Sequence, residues 1–76
     1  MTRKLRVYVN SAGVDVNAGA TALDCVRAWR SDEADSVTKG GRIITDSRGL
    51  PIAADSLAQA GSIYRTVANR TQTRAD

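Results

Sequence analysis

Few side chains in this sequence can do covalent chemistry, and they do not form a set. There is one thiol, Cys25, and no histidine among the 76 residues. Without an imidazole, a nucleophile activated by histidine is excluded, and nothing stands ready to draw the proton from Cys25. One cysteine and no histidine also leave a protein-only zinc or haem site without its usual ligands. Cys25 is therefore read as a small apolar residue of a helix. The chain offers no plausible general base and little room for a pocket. It is expected not to be an enzyme and to bind no cofactor of its own.

Charge is the next feature that could carry function. Eleven basic and eight acidic residues give a net charge of +3, and the only lysines are Lys4 and Lys39. Arg3, Lys4 and Arg6 lie at the start, Arg65, Arg70 and Arg74 at the end, and Asp32, Glu33 and Asp35 in the middle. Basic ends can touch nucleic acid. Here no basic recognition helix and no dense interleaving of aromatic and basic residues accompanies them, so nucleic acid is not an expected partner. The acidic run reads as a solvated surface loop.

The elements that position these groups must fit in one domain. A chain this short buries about 60% of its unfolded surface, so the core is small. It must be built from Val, Ile, Leu and Ala, because the only aromatics are Tyr8, Trp29 and Tyr64. No apolar run reaches the length of a membrane span and no signal-peptide core is present. A cytoplasmic setting without a membrane partner is the expectation.

Leu5, Val7 and Val9 alternate with Arg6, Tyr8 and Asn10, which predicts a strand with one buried face. Ser11-Ala12-Gly13 reads as a turn, with Gly13 free to take a positive φ. Val14 and Val16 alternate in turn, completing a hairpin. Thr21 is a good N-cap for a helix, with Asp24 three residues on. Ala22, Val26 and Trp29 form its apolar stripe, widened by Leu23 and Cys25, and the helix is expected to end near Ser31. Residues 31–41 read as a loop with at most a ragged helical turn. Strands are predicted at 42–45 and, briefly, at 50–52, where Pro51 restricts the piece to an edge or a strand start. Asp55-Ser56-Leu57 reads as a capped helical turn with Leu57 plugging the core. Residues 62–67 form the last strand. After Val67 the apolar signal stops, and residues 68–76 read as a flexible polar tail. The result is an α+β domain over residues 1–67: one helix packed across one face of a mixed four- to five-stranded sheet. Its first and last strands lie side by side.

This order resembles the β-grasp fold of ubiquitin and of the bacterial sulfur carriers of thiamin and molybdenum-cofactor synthesis. The resemblance spans residues 4–67. It rests on K-L-R-V-Y-V-N with V-D-V-N, G-A-T-A-L-D at the helix start, G-R-I-I-T-D, G-L-P-I, and D-S-L-A-Q-A-G-S-I-Y-R-T-V. It implies a bacterial ubiquitin-like modifier whose C-terminal carboxylate is activated by an adenylating enzyme using ATP and magnesium. A conjugating enzyme then passes it to protein targets. The conjugation arm would be Arg70, Thr71, Gln72, Thr73, Arg74, Ala75 and Asp76, with Asp76 activated unless a peptidase first trims the tail. Members of that family end in Gly-Gly, and this chain has no glycine after Gly61. That departure weighs most against a sulfur carrier. Lys4, Lys39 and the N-terminus are the only amines available for self-linkage.

The same pattern suggests a docking surface. If Ile43 and Ile63 face the helix, alternation turns Tyr8, Arg42, Ile44, Tyr64 and Thr66 onto the open face of the sheet. In ubiquitin the matching face, with an isoleucine at the place of Ile44, binds partners. This register also turns Arg65 inward, at a cost for an unpaired charge. Either Arg65 snorkels at the sheet end or a bulge shifts the strand. A β-grasp interaction module that is never conjugated needs only this face, and it accounts for the missing glycines.

Overall fold

The computed structural model describes residues 3–69. Seven elements follow in order: β1 (Lys4–Val9), β2 (Ala12–Asn17), α1 (Ala22–Trp29), α2 (Ser31–Thr38), β3 (Arg42–Thr45), β4 (Pro51–Ile52) and β5 (Ile63–Ala68). The five strands make one sheet in the order β2-β1-β5-β3-β4. β1 and β5 run parallel in the middle, and every other neighbouring pair is antiparallel. The last strand is thus central, as the sequence pattern predicts. No helix among the described residues is long and apolar enough to cross a membrane.

The hairpin turn falls earlier than the glycine suggests. Asn10 and Ser11 both have positive φ, 51° and 72°. That is the two-residue turn whose twist matches the flanking strands. Gly13 lies instead within β2, under Arg6 and Tyr8. A Cβ there would meet Arg6 Nη1 at 3.0 Å.

α1 begins at a complete capping box. The Asp24 amide donates to Thr21 Oγ1 (3.2 Å), and the Thr21 amide donates to Asp24 Oδ2 (3.0 Å). The other early amides of the helix are met from outside. Ala22 N–H donates to the Ser56 carbonyl and Leu23 N–H to that of Ala54. After a tight turn at Ala54 and Asp55, closed by Ser56 N–H donating to the Ala53 carbonyl, residues 56–58 form a strap bridged to Thr21 through Leu57, rather than the expected capped helical turn at 55–57. Leu57 does not plug the core: it is 68% exposed, and Ala58 is the buried residue. The strap's backbone is spent on satisfying helix donors, and that requirement overrides the local helix signal.

Two helices are present where one was expected. Arg30 is extended (φ −154°, ψ 120°) and ends α1, and α2 starts directly after it. The acidic run supplies its first turn, where Asp32 and Glu33 suit the positive end of the helix dipole. Ala34 is fully buried and Val37 half-buried one turn on. The stop is glycine chemistry. Gly40 has φ +89°, Gly40 N–H donates to Val37 O, and Gly41 N–H donates to Ser36 O. This paired arrangement closes a helix on a left-handed residue.

The core lies between helices and sheet. It contains Val7, Val9, Val16, Ala22, Cys25, Val26, Ala34, Ile44, Ala58 and Tyr64.

Candidate functional site: the open face of the sheet

Both helices cover the same side of the sheet, so among the described residues the other side is bare. β1 places Leu5, Val7 and Val9 inward and Lys4, Arg6 and Tyr8 outward. Parallel pairing of Tyr8 with Ile63 and of Val9 with Tyr64 carries that phase into β5. Ile63 is accordingly 47% exposed and Tyr64 only 4%. β3 follows: Ile44 pairs with Thr66 on the helix side, and Ile43 pairs with Val67 on the bare side.

This corrects the expected partner face. Of its five members, Tyr8 alone is where alternation put it. Ile44, Tyr64 and Thr66 are buried and Arg42 turns toward α2. The register is the opposite one, and it removes the difficulty over Arg65, which now points outward into solvent. No bulge is needed. The physical reason is the cost of burying a lone guanidinium against the modest cost of exposing Ile63 and Val67.

The face that results has its own composition. Ile63, Arg65 and Val67 run along β5, flanked by Tyr8 on one side and the half-buried Ile43 on the other. Tyr8 and Val67 are each 39% exposed. Arg65 makes no ion pair among the described residues. Arg6 is held to Asp15 across the hairpin, Nε to Oδ1 at 2.7 Å. That hydrogen bond, and secondarily the charge of the carboxylate, push the Arg6 guanidinium pKa above its ordinary value. A partly apolar face with Arg65 between Ile63 and Val67, and Arg6 beside Tyr8, suits a partner surface that is apolar with acidic groups.

The helix side holds a polar cluster that sequence reasoning did not assemble. Thr66 Oγ1 donates to Glu33 Oε2 (2.8 Å), and Arg42 Nε lies 3.1 Å from the same oxygen. Asn10 Nδ2 donates to Thr66 Oγ1 (2.9 Å), while the Thr66 amide donates to Asn10 Oδ1 (3.1 Å). The cluster ties α2, β3, β5 and the hairpin turn together. Its signal is not local: Glu33 sits in an acidic run of the kind that solvated surfaces carry, and the contact between Asn10 and Thr66 spans 56 positions. Past β5, the Asn69 amide donates to Gly41 O and its Nδ2 donates to Gly40 O. The expected conjugation residues Arg70, Thr71, Gln72, Thr73, Arg74, Ala75 and Asp76 lie outside the described residues.

Cys25 is fully buried, and burial, with the nearby Asp24 charge, pushes its thiol pKa up. Tyr64 shifts upward too, mainly through burial. Neither is poised as a nucleophile. Among the described residues there is no cluster of three or more metal-ligating side chains.

No protein-family model matches this chain, and no curated protein matches it.

Proposed function

We propose that this chain is a β-grasp protein-interaction module of the ubiquitin-like kind, engaging a protein partner through the bare face of its sheet. The carrying observation is that Tyr8, Ile63 and Val67 stay exposed together on one uncovered face. Apolar groups gathered on an open sheet face mark a partner site more often than scattered ones do. Tyr and Arg are the residue types that anchor such contacts, and Tyr8 and Arg65 supply both. The sheet order, with parallel β1 and β5 at its centre, supports the β-grasp reading.

The test is site-specific photo-crosslinking in cells. A crosslinker at Ile63 or Val67 captures a discrete protein, and Arg65→Glu abolishes the adduct. A crosslinker at Asp24, on the helix side, captures nothing. Equal labelling from both sides, or indifference to Arg65→Glu, would sink the proposal.

A second reading, conjugation through the C-terminus, is favoured by one feature. The central strand β5 ends at Ala68, and Asn69, the last described residue before 70–76 in sequence, is anchored to Gly40 and Gly41. In that reading an adenylating enzyme, with ATP and magnesium, activates the terminal carboxylate. Intact mass after mixing with the cognate enzyme decides it. An adenylate or covalent adduct that vanishes when residues 70–76 are removed supports conjugation, and an unchanged mass ends it.

A further inference from the structure

The two edges of the sheet are unlike. β4 is two residues long and opens with Pro51, which has no amide to offer. β2 is six residues long, with neither proline nor lysine on it. Its hydrogen-bonding phase is set by the two-residue turn, which pairs Val9 with Ala12. Ala18 N–H donating to Arg3 O confirms it. Ala12, Val14 and Val16 therefore spend their backbone groups on β1. Gly13 and Asp15 aim theirs outward, where no described residue receives them. Asn17 does the same with its amide, but its carbonyl accepts from Ala20. Such an edge is a template for another strand.

We infer that β2 pairs antiparallel with β2 of a second copy of this chain, about a twofold axis at Val14, joining two sheets into one of ten strands. The register follows from the side chains. With Val14 opposite Val14, Ala12 faces Val16 of the second copy. All three positions lie on the helix side, so the row is apolar throughout. On the bare side, Gly13 faces Asp15 of the second copy. Arg6 Nη1 already rests over the missing side chain of Gly13. The incoming Asp15 carboxylate therefore meets a guanidinium that also holds its own chain's Asp15 at 2.7 Å. The joint becomes an alternating ring of two arginines and two aspartates. Four backbone hydrogen bonds form between Gly13 and Asp15 of the two copies. The register displaced by one residue in each chain would set Asp15 against Asp15, a like-charge contact.

The twofold axis stands perpendicular to the sheet, so the two bare faces end on the same side. The dimer is thus bivalent toward any partner of that face. It does not depend on the partner proposal, because it uses only the β2 edge.

The experiment is sedimentation velocity on the full chain from micromolar to millimolar concentration, with cysteine trapping to read the register. The expected mass rises toward twice 8.1 kDa. Val14→Lys sets like charges opposite each other and weakens association by about tenfold or more. Its circular dichroism and melting curve report whether the monomer still folds. In oxidising buffer Val14→Cys forms a linked dimer, because facing residues at a non-hydrogen-bonded position lie within disulfide reach. Asp15→Cys does not. The unsubstituted chain, with only the buried Cys25, is the control. A mass that stays monomeric with no Val14→Cys dimer overturns the proposal. Preferential trapping through Asp15→Cys overturns it equally, since that is the displaced register.

Discussion

The bare face exists only with Ile44 inside and Ile63 outside, and matched substitutions test this directly. Ile44 is 2% exposed and Ile63 47%. Ile→Val removes the same methylene from each. At Ile44 the lost transfer free energy is about 0.8 kcal/mol. The space left, roughly the volume of one methyl group, adds up to about 0.7 kcal/mol at ~24 cal/mol per Å3. Together these give about 1 to 1.5 kcal/mol. At Ile63 about half the transfer free energy is at stake and no cavity forms, so the cost is ~0.4 kcal/mol. A domain of this size is stable by only about 4–11 kcal/mol, which makes the difference readable. Urea unfolding followed by Trp29 fluorescence, with circular dichroism as a second probe, is the assay. With a slope of about 1 kcal/mol per molar urea, Ile44→Val moves the midpoint by more than about 1 M and Ile63→Val by less than about half that. An Ile63→Val shift equal to or larger than that of Ile44→Val would refute the register, and the partner face with it.

Thr66→Val keeps the shape but leaves Glu33 and Asn10 short of a partner, and urea titration should show a loss of about 1–2 kcal/mol. Gly40→Ala forces a side chain onto φ +89° at the end of α2; thermal melting should report about 1–2 kcal/mol lost. Cys25 and Tyr64 both have raised pKa values, so the folded chain holds these protons more tightly than the unfolded one. Stability is then full below the ordinary thiol value of about 8.5 and falls as pH climbs through it and on past ~10. Urea midpoints that stay level from neutral pH through pH 11 would contradict this. Under native conditions Cys25 should resist a thiol reagent at neutral pH, and labelling should track unfolding by urea.

The sequence announces the elements whose signals are local. The alternation of Leu5, Val7 and Val9 and the Thr21 N-cap on the Asp24 amide each lie within a few residues and form as expected, and the Asp24 carboxylate completes a capping box by accepting from the Thr21 amide. α2 was also locally encoded, by Asp32 and Glu33 at its start, Ala34 and Val37 on one face, and Gly40-Gly41 as its stop. An acidic run and a glycine pair are equally the marks of a solvated loop, so these residues alone do not announce the helix. The hairpin turn was misplaced because glycine is the stronger signal, yet Asn10 is the residue that tolerates the left-handed region without it. Leu57 and the Glu33–Thr66–Asn10 cluster were not legible locally. The stretch 54–58 turns once at 54–55 and then lies along α1, whose first amides take its carbonyls, and the cluster joins residues that meet only once the sheet is built.

The register of β5 is the point where a local rule and a global one collided. Ile63 and Val67 invite burial by hydrophobicity, while Tyr64 and Thr66 do so by size and by hydrogen bonding. Both choices alternate perfectly, so periodicity is silent between them. Arg65 is not silent. In one phase it sits under the helices among apolar side chains; in the other it reaches water. Tyr64 fills the core as well as an isoleucine would, and Thr66 finds Glu33 and Asn10, so the inward set loses little. The outward set then carries two aliphatic residues that the core does not require, beside an arginine with no ion-pair partner among the described residues. Solubility alone would favour polar residues at Ile63 and Val67. Their place on the uncovered side of a central strand, with Tyr8 beside them, is the observation behind the proposed partner face.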